Sequence, residues 1–80
     1  MEASDFTEPG LLEAWLSYKA AIKHIDEKKF TFSLEAQNYC NNLIAEHKEK
    51  CEVLERAQRI INTARAIHER GHRQSIEVMQ

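Results

Sequence analysis

The arrangement nearest to chemistry in this sequence is His68-Glu69-Arg70-Gly71-His72. Histidines four apart on a helix point the same way and can share one Zn²⁺. A glutamate between them reaches a metal-bound water and serves as general base. His47 and Cys51 stand at the same spacing and offer half a metal site, with His24 and Cys40 as the remaining donors. The third group is a set of arginines, Arg56, Arg59, Arg65, Arg70 and Arg73. Their planar forks suit phosphate or carboxylate.

The pattern His68-Glu69-Arg70-Gly71-His72 resembles the signature of zincin metallopeptidases, which implies His68 and His72 as zinc ligands and Glu69 as base. Its surroundings argue against that use. A catalytic zinc needs a third protein ligand, and Glu77 is the sole later acid. No strand signal precedes the motif to hold an extended substrate. Arg70 and Arg73 put positive charge beside the would-be cation, and Gly71 doubles as a helix stop that would take His72 off the helical register. His47 and Cys51 lack any C-x-x-C pair to complete them. Gly10 and Gly71 stand alone, so there is no phosphate-binding loop. The expectation is a non-catalytic chain with no cofactor, and with metal only as a remote possibility at His68 and His72.

Nucleic acid is the second class to weigh. On a helix Arg56, Arg59, Arg70 and Arg73 fall within about 100° of one another. Yet the net charge is −2 and the pI near 6.1, short of the basic balance of a dedicated binder. No aromatic residue follows Tyr39 to stack on bases. The charge is divided along the chain. Residues 1–55 hold six lysines against eleven acids, and residues 56–80 hold five arginines against two. An acidic body with a basic end suits helix-to-helix pairing, the arginines meeting acids such as Glu46, Glu49, Glu52 and Glu55 of a partner. A nucleic-acid contact through Arg56, Arg59, Arg70 and Arg73 stays as the less favoured alternative.

Helices must position these groups. Two glycines and one proline in 80 residues leave little to punctuate a sandwich or barrel, so the fold class is all-α. Leu11, Trp15, Tyr18, Ile22 and Ile25, widened by Leu12 and Leu16, recur at spacings of three and four and predict a first helix over residues 9–28. Thr7 is its expected cap, with Pro9 in the first turn. Phe30 and Phe32 are expected to plug the hairpin end, and Thr31 or Ser33 to cap a second helix from about residue 33 to Arg70, with Gly71 as its C-cap. Its first half carries Ala36, Tyr39, Cys40, Leu43, Ile44 and His47. Its second half carries Val53, Leu54, Ala57, Ile60, Ile61, Ala64 and Ile67. The organisation read from this is a flexible leader (1–8), a helical hairpin (9–71) and a C-terminal tail (72–80).

The lengths then decide the function class. Helix 1 spans about 30 Å and an unbroken helix 2 about 57 Å. Folded back antiparallel, the first cannot cover the stripe from Val53 to Ile67, and exposing it is unfavourable by several kcal/mol, about 0.8 kcal/mol per CH₂. Either a second chain closes it, a copy of this one or a hetero-complex, or helix 2 breaks near Asn41-Asn42 or Glu46–Cys51 into a three-helix bundle. The long helix is favoured because good helix formers fill the charged stretch. The sequence thus reads as a small helical adaptor, regulator or accessory subunit acting through Val53, Leu54, Ala57, Ile60, Ile61, Ala64 and Ile67. No signal peptide or membrane span is read, and two cysteines fit a reducing cytoplasm.

The layout of residues 11–60 is similar to the small subunit of exodeoxyribonuclease VII, a two-helix hairpin. The likeness lies in Ile25-Asp26, Phe30-Thr31-Phe32, Tyr39 and Leu54-Glu55-Arg56-Ala57. The glycine of that subunit's turn is missing, so the resemblance assigns no family. It implies the same class, a helical accessory subunit without an active site of its own.

Overall fold

In a computed structural model the chain is a rod of 71 × 17 × 15 Å. The structure describes the backbone of residues 1–79 and the side chains of residues 1–71. A short 3-10 turn, Ala3–Asp5, leads into helix α1, Pro9–Lys28. A second 3-10 turn, Lys29–Thr31, reverses the chain into helix α2, Leu34–Met79. The two helices pack as an antiparallel hairpin. Its radius of gyration is 19.4 Å, against about 12 Å for a compact domain of this length, because α2 runs far beyond the end of α1.

Proline at the first position of α1 fixes a helical φ and has no N–H to leave unpaired. The cap is Glu8, without a side-chain capping bond. Thr7, the cap expected from sequence, spends its hydroxyl elsewhere. At the start of α2 the Ser33 hydroxyl accepts from the Ala36 N–H at 3.3 Å, and the Ser33 carbonyl accepts from the Gln37 N–H at 2.8 Å.

Helix α2 is unbroken across both positions where a three-helix bundle would bend. Asn41 and Asn42 cost a few tenths of a kcal/mol each as helix residues, and the Asn41 amide oxygen accepts from Lys29 Nζ at 3.0 Å. Through Glu46–Glu52 every residue but His47 and Cys51 is a strong helix former, and Glu46 precedes Lys50 at the favourable spacing of four. Gly71, expected as the helix stop, lies inside α2 with a negative φ. No residue of the described chain has the left-handed φ that a glycine cap requires.

The core sits at the open end of the hairpin. Phe6, Trp15 and Cys51 are buried together, and Leu11, Leu12, Tyr18, Ile22 and Leu54 pack around them. Ile44 is buried farther toward the turn. Phe6, which the sequence reading leaves in a flexible leader, stacks obliquely on Trp15 with ring centroids 5.1 Å apart. The reason is hydrophobic: a phenylalanine three residues before Pro9 lands on the exposed end of the Trp15 indole and removes both from water. Phe30, Phe32 and Tyr39 go the other way. They are 71%, 51% and 65% exposed, so the expected aromatic plug at the turn does not form. The tight 3-10 reversal brings the two helices together without needing one.

Candidate interaction surface

Helix α2 carries two apolar ladders, and only one of them is engaged by α1. The engaged ladder is Ile44, His47, Cys51, Leu54 and Gln58, spaced three, four, three, four. Its members are buried or half-buried, as expected of a two-helix seam. The second ladder is Val53, Ala57, Ile60, Ala64 and Ile67, spaced four, three, four, three. At 100° per residue it lies about 140° round the helix from the first. Val53, Ile60 and Ile67 are 52%, 68% and 63% exposed.

The stripe read from sequence therefore divides. Leu54 belongs to the hairpin core, because it falls on the engaged ladder and not on the outer one. Ala57 and Ile61 are half-buried at the border between the faces. Val53, Ile60, Ala64 and Ile67 are exposed. Arg56 and Arg59 are also exposed and, with Ile60, Thr63, Ala64 and Ile67, line a shallow open groove. Arg70 is exposed on the same flank. The side chains of His72 and Arg73 lie outside the described residues; the backbone of residues 72–79, expected as a separate tail, continues helix α2.

What ends the hairpin is a polar clasp that the sequence reading does not contain. Gln58 is fully buried in the engaged ladder. Its Oε1 accepts from the Thr7 backbone N–H at 3.1 Å, and its Nε2 donates to Thr7 Oγ1 at 2.7 Å and Asn62 Oδ1 at 2.9 Å. A buried amide is tolerable only when satisfied in this way. Two turns on from Gln58, Arg65 donates to Thr7 Oγ1 at 3.1 Å and to Glu8 Oε1 at 2.7 Å. These contacts tie the segment before α1 to α2. They also explain why Arg65 stands apart from the other arginines: it belongs to the hairpin side. The available signal was the spacing, since Gln58 and Arg65 continue the 51–54 ladder in steps of four and seven.

Among the described residues His24, Cys40, His47 and Cys51 are not brought together as a metal site. His47 Nδ1–H donates to the Leu43 carbonyl at 2.7 Å, and the ring meets Tyr18 edge-on at 5.5 Å. Cys51 is buried and burial pushes its thiol above the ordinary range, with Glu55 adding to the shift and Lys19 opposing it. A thiol held protonated is neither a ready ligand nor a nucleophile. Among the described residues no group of three or more His, Cys, Asp or Glu is placed to hold a metal ion. His68 and Glu69 are exposed and, with Ile61, Ala64 and Arg65, border a second shallow depression. Among the described residues no helix is long and apolar enough to cross a membrane.

Comparison of the chain with protein-family models, with curated proteins and with solved structures finds no match.

Proposed function

We propose that this chain is a non-catalytic protein-interaction module that docks an amphipathic helix on the outer face of α2. The anchors are Val53, Ile60 and Ile67, with Ala57 and Ala64 between them letting a partner backbone approach closely. Arg56, Arg59 and Arg70 select a partner carrying acidic residues along the matching flank. Apolar burial supplies the affinity, and charge supplies orientation and choice.

The observation that carries the reading is the continuous line of aliphatic side chains, each more than half exposed at Val53, Ile60 and Ile67, on a helix whose opposite face is packed as far as Gln58. An isolated exposed leucine or isoleucine is ordinary, but three at seven-residue intervals on a rigid helix form a seam awaiting its second half. Two free cysteines, Cys40 half-buried and Cys51 buried, are in keeping with a chain working in the reducing cytoplasm. The nucleic-acid alternative uses the same arginines but leaves the aliphatic line unexplained.

Position-specific photo-crosslinking in the native cell tests this. A photoreactive side chain replacing Ile60 should give a protein adduct that disappears when Ile67→Asp is added. The same group replacing Lys23, exposed on α1, should give none. Adducts to nucleic acid, equal adducts at the two positions, or no adduct at either would each contradict the reading.

A further inference from the structure

Resting on that reading, we infer that the helix docked on the outer face is α2 of a second copy of this chain, running antiparallel, with the two copies crossing at Ile60. The outer ladder is nearly palindromic about that residue. Val53 and Ile67 lie seven positions to either side, and Ala57 and Ala64 three and four. Antiparallel pairing about Ile60 places Val53 opposite the partner's Ile67 and Ala57 beside the partner's Ala64, so that each large side chain meets another and the small ones leave room for the backbones.

Charge selects the direction. Toward the N-terminus of α2 the outer face continues as Asn42, Glu46 and Glu49, all exposed. A parallel pair would set Glu46 and Glu49 against the same residues of the other copy, like charge on like. An antiparallel pair instead sets Glu49 opposite the partner's Arg70, with Glu52 one turn away on the same flank, and twofold symmetry repeats the contact at the far end. Arg56 falls near the partner's Thr63, and Arg59 stands farther round, toward solvent. Helix α1 is no obstacle, since it occupies the face about 140° away. The product is a four-helix assembly in which two α2 helices form the spine.

Disulfide trapping reads the geometry directly. In a Cys40→Ser background, buried Cys51 stays silent. Ile60→Cys should then form a disulfide-linked dimer under mild oxidation, and Val53→Cys alone should not. Val53→Cys mixed with Ile67→Cys should cross-link. Val53→Cys linking to itself as readily as Ile60→Cys would overturn the antiparallel direction. A charge test avoids altering the apolar seam: Arg70→Glu should weaken self-association about tenfold or more, and Arg70→Glu with Glu49→Arg should restore it. No cross-link at any position, with the parent chain sedimenting as a monomer, would overturn the second copy as occupant. A photo-adduct from position 60 to a different protein would in that case leave the interaction module standing, and its absence would remove both.

Discussion

The two faces of α2 are built from the same kind of ladder and have opposite fates. Ile44, His47, Cys51, Leu54 and Gln58 include polar and sulfur-bearing residues and are packed against α1. Val53, Ala57, Ile60, Ala64 and Ile67 are purely aliphatic, and all but the half-buried Ala57 are exposed. By residue type alone the second is the better core. What separates them is reach. Helix α1 is 20 residues long and α2 is 46, so α1 and its leader end at Gln58 and Arg65. The hairpin closes one side of the first half of α2 and has nothing left for the other. Burial is allocated by which face the neighbour can touch, and a better apolar face out of reach stays exposed.

Breaking the closed face should have the largest effect. Trp15→Ala removes the largest side chain of a very small core, at a cost of about 3–5 kcal/mol, and thermal melting by circular dichroism should show a chain unfolded or nearly so at room temperature. Ile60→Asp should leave the melting of the monomer close to that of the parent at low concentration, while weakening association about a hundredfold or more, since each copy loses a buried isoleucine and gains a buried charge. If Ile60→Asp unfolds the isolated chain, the outer face is part of the hairpin core and the contrast between the faces is lost.

Finer changes sharpen the same comparison. Gln58→Ala leaves the Thr7 N–H without its partner and should cost about 1–3 kcal/mol, with hydrogen exchange rising first in residues 3–8. Gly71→Ala should stabilise α2 by about 0.5–1 kcal/mol, because no side chain would meet the added methyl and alanine is the better helix residue. A loss of stability there would mean that the helix stops at Gly71 after all. The Glu8–Arg65 pair is solvent-exposed, so Glu8→Gln should shift the melt by at most about 1 kcal/mol, less in high salt.

Much of this architecture is legible in the sequence. Helix α1 is read at its observed ends because Pro9 and the 11–15–18–22–25 ladder mark it unambiguously. The long second helix follows from the absence of glycine and proline between Ser33 and Arg70. The position of Leu54 is not legible, because a wide apolar face over 53–67 does not reveal where two ladders offset by one residue divide. Phe6, Thr7 and Gln58 are missed for a related reason. Their pairing is set by where the chain before Pro9 lands on α2, a contact across 51 residues that no local pattern announces. Gly71 shows the reverse error, a local stop signal that exposed helix context overrides at a cost of about 1 kcal/mol.

The most direct measurement is sedimentation equilibrium of the parent chain beside Ile60→Asp, over a range of micromolar concentrations and with circular dichroism on both. The parent's mass should rise toward that of two chains with concentration, and Ile60→Asp should remain a monomer of equal helical content. Parent and variant sedimenting alike, whether both as monomers or both as dimers, would contradict the proposed pairing.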